Sequence, residues 1–495
     1  MGYGIEFLMA LIILLNGART DLLDMLPTAA YWEAKRVTVS EAQLERDAGP
    51  DEENGAIDSL VADLASPEFR VRDGAKKSLK GMGPSILPQL EGALNSKTPE
   101  VRAAAVEIAR EFEARTKERA VRRLMAIRTL GERREKGALA LLKSLEESKE
   151  MFVAEYAARA VARIEGREWE APDRSASIRG DLQLLPRHAG IVGQTTGLAS
   201  APITLETLLN ATGVPGNGEA ISQGTSTLLR IVERTGNVRI DGLTFALSED
   251  AGETSGWEIV MLRGQFDAAA LLASARALAH PADGNVRYSN ELGIRVVQTD
   301  VDTQIMFPSD QLAIVVMADE DKDRIARMIA MVYALRAGHG TMTTDKEVAG
   351  MLKGVDTTAP LWLTGRLNAE EKKAKLLGGV DSFALGGKRE KDSLSVSLRA
   401  EGEDGEKLKV SAEELNTEIQ WGKQTLPQTA SLAPIGGFLR TVRVQSAGRS
   451  ATVSGEIRPD LPNALLVNFL PLLELKVPSD DAGNGAGQPI AVPGQ

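Results

Sequence analysis

Clustered carboxylates are the first candidates for chemistry in this 495-residue chain. Asp319 to Asp323 places four acidic residues in five positions, which matches the acidic opening of a calcium-binding loop. Such a loop needs glycine at its sixth position and a bidentate glutamate at its twelfth. Arg324 and Ala330 stand there instead. We therefore predict that these carboxylates cap the N-terminus of a helix, and we assign no metal ligand.

Phosphate-binding and paired-carboxylate patterns are equally incomplete. The glycine-rich segment 213–218 lacks the Gly-Lys-Ser/Thr ending of a P-loop and does not match G-x-G-x-x-G, so we interpret it as a connection. Asp300 and Asp302 flank a strand junction without a third ligand. A turn is the predicted use of these two residues.

Nucleophilic and histidine-based catalysis lacks its usual residues. The absence of cysteine excludes a thiol nucleophile, a disulfide and a thiolate metal site. The three histidines, His188, His280 and His339, are too widely spaced to form a metal-ligand pair. No serine lies in a G-x-S-x-G elbow. We therefore predict no catalytic residue, no cofactor and no small-molecule ligand.

A local excess of positive charge is the remaining chemical signal. Residues 115–136 hold nine basic residues against three acidic ones, although the net charge of the chain is −11. Such a face could bind nucleic acid, another polyanion or an anionic membrane surface. The alternative is a solvated helix face with Glu partners four residues away, and the lack of aromatic residues there disfavours nucleic acid. The candidate contact residues are Arg115, Lys117, Arg119, Arg122, Arg123, Arg133 and Arg134.

The composition is that of an ordinary globular protein. Apolar residues make up 43% and charged residues 26% of the chain, which excludes disorder throughout. Aromatic residues make up only 4%, so the core must consist mainly of Leu, Ala, Val and Ile. A chain of 495 residues has room for about three domains. The net charge of −11 argues against a nucleic-acid or membrane binder that uses its whole surface.

The N-terminus carries an apolar run at residues 5–15, followed by Asn16-Gly17-Ala18. The run is shorter than the ~20 residues that span a bilayer, and it has the length of the apolar region of a signal peptide. We interpret residues 1–18 as a signal peptide, with a hydrophobic helix packed on the body or a short membrane anchor as alternatives. The predicted location is exported, periplasmic or envelope-associated, and the alternative is cytoplasmic. Residues 19–55 are interpreted as an arm and linker.

Residues 56–168 have helical periodicity. Ser66-Pro67-Glu68 and Thr98-Pro99-Glu100 each offer the hydroxyl, proline and acid that begin a helix, and their prolines are 32 residues apart. Apolar residues spaced i, i+4, i+8 predict three inner helices. These stripes are Val71/Ala75/Leu79, Val101/Ala105/Ala109 and Val153/Ala157/Val161. The pattern is typical of helix-pair repeats.

Two segments, SPEFRVRDGAKKSLKGMGPSILPQLEGAL and TPEVRAAAVEIA, resemble bacterial HEAT-repeat proteins. The resemblance covers about residues 56–166, and it implies an α-solenoid whose stacked helix pairs offer an extended face to a partner. The stretch 115–135 is longer and more basic than a standard repeat.

The remainder is predicted to be α+β in two similar halves, residues 180–358 and 359–476. The segment 239–264 has the pattern of two strands, and 382–402 repeats it, since Thr244-Phe245-Ala246-Leu247 matches Ser382-Phe383-Ala384-Leu385. A helical pattern follows each strand pair. The order strand, helix, strand, strand, helix, strand is ferredoxin-like.

The predicted fold class is therefore multidomain: an N-terminal α-solenoid of HEAT-like helix pairs, followed by α+β with two ferredoxin-like halves. Its layout is similar to that of exported bacterial proteins with duplicated α+β domains behind helical repeats, a resemblance that implies no particular activity. Residues 477–495 have few apolar anchors and are predicted to be a disordered tail.

These patterns favour a non-enzymatic binding or scaffold protein with a protein or cell-envelope partner. Two alternatives stay open. One is an enzyme of unknown reaction with a site between the two α+β halves, where domain interfaces commonly form pockets. The other is a polyanion or nucleic-acid binder that uses the basic 115–136 face. Membrane association through residues 5–15 is a further possibility under the anchor interpretation.

Overall fold

The computed structural model describes most of the chain between residues 20 and 465. The described residues are 20–49, 56–82, 86, 90, 93, 96, 98–169, 175–186, 188–196, 218–248, 256–268, 271, 287–291, 294–298, 303–318, 325, 326, 329, 346–369, 371–374, 376–391, 393–426, 432–461, 464 and 465.

Helices dominate the N-terminal third and recur between strands later in the chain. The α-helices are α1 (Thr28–Ala34), α2 (Glu41–Ala48), α3 (Ala56–Asp63), α4 (Phe69–Met82), α5 (Pro99–Arg133), α6 (Leu139–Leu145), α7 (Met151–Glu165), α8 (Ser175–Gly180), α9 (Gly218–Thr235), α10 (Lys346–Leu352), α11 (Gly405–Thr425) and α12 (Ala433–Thr441). Short 3₁₀ helices are Leu22–Met25, Lys136–Ala138, Asp181–Leu184 and Glu371–Lys373.

The described strands form one antiparallel sheet of 13 strands. They are β1 (Thr20–Asp21), β2 (Ala189–Thr195), β3 (Arg239–Ser248), β4 (Trp257–Gln265), β5 (Arg287–Glu291), β6 (Ile294–Gln298), β7 (Thr303–Ser309), β8 (Leu312–Ala318), β9 (Leu361–Arg366), β10 (Ser382–Arg389), β11 (Leu394–Glu401), β12 (Arg443–Ala447) and β13 (Ser450–Ile457). Their order across the sheet is β12-β13-β11-β10-β9-β2-β3-β4-β8-β7-β6-β5, and β1 pairs with β3. The architecture is therefore α+β.

Strands β2 and β9 pair at the middle of the sheet, and the same order extends outward from each. On one side it is β2-β3-β4-β8-β7, and on the other it is β9-β10-β11-β13-β12. In both, the third strand pairs with the last strand of its half. Strands β6 and β5 extend the first side further.

The residue pairing beside the central strands is also alike in the two halves of the sheet. Val192 lies opposite Thr364. Gly193 lies beside Phe245 of β3, and Gly365 lies beside Phe383 of β10. A Cβ on Gly193 would lie 2.6 Å from Phe245 Cε1, and a Cβ on Gly365 would lie 2.8 Å from Ile191 Cγ1 and 3.0 Å from Phe383 Cζ. Each phenylalanine ring thus fills part of the space that a side chain on its neighbouring glycine would need.

Gly193→Ala and Gly365→Ala will each lower the free energy of unfolding by about 1–3 kcal/mol, because the added methyl group overpacks a filled site. Adding Phe245→Leu to Gly193→Ala will recover part of the loss, since the shorter side chain vacates that space. Chemical denaturation of the two single variants and the double variant measures this coupling. If the losses of unfolding free energy from Gly193→Ala and Phe245→Leu simply add in the double variant, contact with the Phe245 ring is not the cause of the loss.

The predicted ferredoxin-like strand order is wrong for this sheet. In a ferredoxin-like unit, the strands before and after the first helix are not neighbours. Here β2 and β3, which precede and follow α9, pair directly, and β9 pairs with β10. The sequence pattern identifies element types in order, but it does not specify which strands become neighbours.

Several element boundaries also differ from the sequence prediction. The sequence pattern predicts a helix over 369–377, where the described residues form only the 3₁₀ turn Glu371–Lys373. It also predicts a strand over 439–445, but β12 begins at Arg443, because Leu439 to Thr441 belong to helix α12, which the pattern does not predict. The helices that the pattern predicts over 266–279 and 321–335, and the tail 477–495, lie largely or wholly outside the described residues.

Helix α5 is one continuous element of 35 residues, about 52 Å long at 1.5 Å per residue. It therefore joins the predicted inner helix at Val101, Ala105 and Ala109 to most of the stretch 115–135, which is longer than a standard repeat. Thr98 precedes it, as predicted, but the Thr98 side chain makes no capping hydrogen bond. Ser96 Oγ accepts from the Thr98 backbone N–H instead, at 3.2 Å.

The two ends of α5 pack in different hydrophobic cores. The N-terminal end packs with α3 and α4 in a small core that we call the helical tip. Its buried residues are Ile57, Leu64, Ala75, Leu79, Ile86, Leu90, Ala93, Val101, Ala105 and Ile108. The C-terminal end of α5 packs against α1, α2, α6, α7 and α9 in a larger core.

The described part of the segment 19–55, interpreted from sequence as an arm and linker, packs into the larger core. Leu23, Leu26, Tyr31 and Leu44 are fully buried in the larger core. Trp32 Nε1 donates to Thr129 Oγ1 of α5 at 2.9 Å. The polar residues around these apolar positions give the segment the composition of a linker. Its apolar residues nevertheless pack in one core with helices that lie far along the chain.

Gly131 allows close packing of α5 and α7. A Cβ at Gly131 would lie 2.7 Å from both Cα and Cβ of Ala160. Gly131→Ala will therefore destabilise the fold by about 1–3 kcal/mol through overpacking, despite a gain of about 0.5–1 kcal/mol in helix propensity. Thermal unfolding measures the balance. Gly74→Ala is the matched control, because no atom lies within 4 Å of a Cβ at that helical glycine, so it should keep or raise stability.

Candidate functional site

A largely buried group of polar side chains lies where the N-terminal segment, α7 and the start of β3 meet. We call it the junction cluster, and its residues are Asp21, Asp24, Tyr156, Arg159, Asn237 and Arg239. Helix α7 supplies Tyr156 and Arg159, and the short connection between α9 and β3 supplies Asn237. Strand β1 places Asp21 directly opposite Arg239.

Asn237 joins the N-terminal segment to the sheet. Its Oδ1 accepts from the Leu23 backbone N–H at 3.1 Å, and its Nδ2 donates to Asp21. The Leu22 backbone N–H donates to Val238 O at 3.0 Å. The segment is also held from α5, since Arg128 Nη1 donates to Leu23 O at 2.7 Å and to Leu26 O at 2.8 Å.

Arg159 lies between the acidic and aromatic members of this region. Its Nη2 lies 2.6 Å from Asp24 Oδ2, and its Nη1 lies 3.7 Å from Asp21 Oδ2. Its guanidinium carbon lies 4.9 Å from the ring centroid of Tyr156 and 5.4 Å from that of Trp169. The cation is thus stabilised by two carboxylates and two aromatic faces.

Arg239 is almost fully buried at the start of β3, with 6% of its side chain exposed. It forms ion pairs with Glu155 of α7 and with Asp241, whose Oδ1 lies 2.9 Å from its Nε. Asp241 is the extra residue of a β-bulge between β3 and β4. The bulge brings residues 239 and 241 to a position where they can pair.

Burial raises the pKa of Asp21 to about 7, and the charge of Asp24 adds to this rise. Arg159, Arg239 and the hydrogen bond from Asn237 oppose it. Burial also raises the pKa of Tyr156 well above its usual value. A carboxyl group with a pKa near 7 could act as a general base, but the interactions described for Asp21 all run to protein groups. The arrangement fits a clamp between elements better than a substrate site.

A second buried ion pair fixes the first half of the sheet. Asp181 is fully buried, and Arg263 of β4 donates to it from Nε to both oxygens at 2.9 Å and from Nη2 at 2.5 Å. Burial raises the pKa of Asp181 to about 6, against the lowering effect of Arg263. The carboxylate therefore stays ionised at neutral pH.

A surface groove of about 770 Å³ lies beside the β12–β13 turn. Its polar groups are largely occupied within the protein. Asp404 caps α11 by accepting from the backbone N–H groups of Glu406 and Lys407, each at 3.1 Å. Arg449 Nε donates to Glu403 O at 2.9 Å. The groove therefore shows the chemistry of a helix cap rather than that of a ligand site.

The basic stretch 115–136 lies on α5 and its C-terminus, and much of its charge is paired with other elements. Lys117 pairs with Asp267, Arg122 Nε lies 3.0 Å from Asp47 Oδ2, and Arg123 Nη1 lies 2.8 Å from Glu150 Oε1. Arg133 Nη1 donates to Val39 O at 3.3 Å. Arg119 and Arg134 are exposed, and the side chain of Arg115 lies outside the described residues.

The other candidate residues from the sequence are either exposed or outside the described residues. His188 is exposed and has a positive φ of 62° at the start of β2. The loop 213–217, Asp300, Asp302, the segment 319–323, His280 and His339 lie outside the described residues. Among the residues that the structure does describe, no group of three acidic or histidine side chains could hold a metal ion.

Sequence reasoning did not predict the junction cluster. The sequence holds two signals of such a cluster: Asp21 and Asp24 interrupt an apolar segment, and Arg239 begins an apolar strand. Charges in such positions need buried partners. Asp21 and Asn237 are separated by 216 residues, so no local pattern could pair them.

The junction between the two halves is a stretch of continuous sheet in the described residues. Strands β2 and β9 pair along Ile191 to Thr195, and Ile191 and Leu363 pack in one shared core.

The helices that the structure describes include none long and apolar enough to cross a membrane. Comparison with known proteins gives only distant structural likeness. No protein-family model and no curated protein matches the chain. Crystal forms I, III and IV of TP0453 match with TM-scores of 0.30, 0.33 and 0.31 and sequence identities of 12%, 10% and 11%. Each match covers 58% of this chain and 96–97% of the TP0453 chain. A likeness of this size carries no argument about fold or function.

Proposed function

We propose that this chain is a non-enzymatic binding or scaffold protein that holds a protein or cell-envelope partner through its helical part. The sheet serves as the rigid base. An exported or envelope location is part of this proposal, and residues 1–18 that would direct it lie outside the described residues.

The observation that carries the proposal is the use of the buried charges. The charged side chains with the most perturbed surroundings, in the junction cluster and in the Asp181–Arg263 pair, connect one protein element to another. An enzyme instead arranges such groups around a space for its substrate. Here they support a fixed attachment of the N-terminal segment and α7 to the sheet.

The helical tip is the part best suited to contact a partner. Its core is separate from the larger core, and the pairing of α3 with α4 supports a short HEAT-like stack. Phe69, at the first position of α4, is 71% exposed. Its ring lies 6.0 Å from the guanidinium carbon of Arg72, whose Nη1 also donates to Ser66 O at 2.8 Å. An exposed aromatic side chain beside a fixed cation is typical of binding surfaces.

We also infer that the two sheet halves derive from one duplicated unit. The equal strand orders around β2 and β9 support this inference, and so do the matched Gly193–Phe245 and Gly365–Phe383 neighbours. After a duplication, the surface of one half can change while the other half keeps the original surface.

Site-specific photo-crosslinking tests the binding proposal. The photoreactive analogue p-benzoylphenylalanine is placed at Phe69 in the full chain in its own cells, and at Trp421 as the control, because Trp421 is 64% exposed on α11. A discrete adduct from position 69 and not from position 421 is expected. No adduct from position 69, or the same adducts from both positions, would contradict binding through the tip.

The polyanion alternative has less support, because Lys117, Arg122 and Arg123 pair with carboxylates of the same chain. Retention on a polyanion column that falls steeply with salt would revive it.

A further inference from the structure

Strand β12 forms one edge of the sheet. Arg443, Gln445, Ser446 and Ala447 are exposed, and Val444 is half-buried. Among the described strands, only β13 pairs with β12. Edge strands of this kind are ready templates for pairing with another chain.

The hairpin geometry determines which backbone groups are available. A two-residue turn joins β12 to β13, and Ala447 lies opposite Ser450 next to it. In such a hairpin the pair beside the turn is hydrogen-bonded, and hydrogen-bonded residues then alternate along the strand. Ala447, Gln445 and Arg443 therefore direct their N–H and C=O groups towards β13. Val444 and Ser446 direct theirs away from the sheet.

The first half of the sheet shows what occupies the corresponding edge. Strand β7 has the same place in its half as β12, because each pairs with the last strand of its half. The outer edge of β7 is covered by the antiparallel strand β6, with Val296 opposite Met306. Among the described strands, the second half ends two strands earlier, at β12, with no counterpart of β6 and β5. This comparison depends on the duplication inferred above.

We propose that β12 pairs with β12 of a second copy of this chain, antiparallel and about a two-fold axis at Gln445. In this register Val444 lies opposite Ser446 of the second copy, so the outward backbone groups of both residues form hydrogen bonds. Gln445 lies opposite Gln445 of the second copy. The interface is the same patch on both subunits, as in closed two-fold dimers.

The charges of the strand are compatible with this register. Arg443 lies opposite Ala447 of the second copy, so the two guanidinium groups attach at opposite ends of the ladder. Four residues at about 3.3 Å each separate their Cα atoms by about 13 Å along the strand. That exceeds the Debye length of about 8 Å at physiological salt, so repulsion between them is weak.

The edge is also held in place before any partner arrives. Gly402 N–H donates to Arg449 O at 3.1 Å, which fixes the turn beside β12. At the other end, Lys423 Nζ donates to Val442 O at 3.3 Å. Pairing therefore orders few new residues, and a low ordering cost favours association.

The test is sedimentation velocity of the full chain from low to high micromolar concentration. Gln445→Glu and Gln445→Lys each place like charges on two side chains whose Cβ atoms lie about 5 Å apart across the axis. Gln445 is exposed, so neither substitution should unfold the monomer. We expect each variant alone to raise the dimer Kd by about tenfold or more. An equimolar mixture of the two will recover the dimer, because opposite charges then face each other.

The control is the same pair of substitutions at Gln183, an exposed glutamine of the first half, which should leave the dimer Kd unchanged. The proposal is overturned by a wild-type chain that stays monomeric, by a dimer insensitive to both Gln445 variants, or by a mixture that does not recover. Sedimentation does not depend on Phe69, so failure of this proposal and failure of the crosslinking test are distinguishable.

Discussion

Arg263→Ala will lower the free energy of unfolding by about 3–5 kcal/mol, because it leaves a buried carboxylate without its cation. Asp181 is fully buried, and three short donor–acceptor contacts from Arg263 satisfy it. The pair also joins the 3₁₀ helix Asp181–Leu184 to the sheet at β4. Chemical denaturation followed by circular dichroism measures the loss.

Two further variants separate the charge from its geometry. Arg263→Lys keeps the charge but cannot form the two-pronged contact, so an intermediate loss is expected. The double variant Asp181→Leu with Arg263→Met removes both charges and should be much more stable than Arg263→Ala, since an apolar pair has no desolvation penalty. Equal stability of Arg263→Ala and the wild type at neutral pH would show that the pair contributes nothing.

Asp21→Asn will remove a pH dependence of stability that the wild-type chain shows between pH 4 and pH 7. Burial raises the pKa of Asp21 from 3.8 to about 7 in the folded protein. The folded state therefore binds a proton across this window that the unfolded state has released. The resulting stabilisation is complete below pH 4 and is lost as the pH rises through 7.

The expected size of this effect is about 4 kcal/mol at most, at about 1.4 kcal/mol per pH unit. Asp21→Asn cannot titrate, so above pH 7 it should be more stable than the wild type, and near pH 4 the two should be similar. The readout is the difference in unfolding free energy between the two chains from pH 4 to pH 8, because other titrating groups cancel. A flat difference would mean that Asp21 is ionised throughout.

Local patterns in the sequence predicted much of the secondary structure. The stripes at Val71 and Val153 fall on α4 and α7, and the two strand pairs at 239–264 and 382–402 are strand pairs in the structure. These features depend on residues a few positions apart, which a periodic pattern records.

Features that depend on distant residues could not be predicted in this way. Arg122 and Arg123 belong to a basic run, but nothing nearby in the sequence indicates that Asp47 and Glu150 neutralise them. Likewise, residues 20–48 have a mixed composition, and only the packed helices show that their apolar side chains are core. Strand β2 lies beside β9 because the two halves of the sheet pair with each other, and no local sequence pattern indicates that pairing.

The central pairing of β2 with β9 has a consequence for synthesis. Strand β2 emerges from the ribosome well before Leu361–Arg366 exists, so one flank of the nascent first half stays unpaired for that interval. An unpaired flank on an incomplete sheet favours aggregation. We therefore expect refolding from denaturant to show a late, slow phase for the joining of the halves, and chaperone protection to matter most before β9 is made.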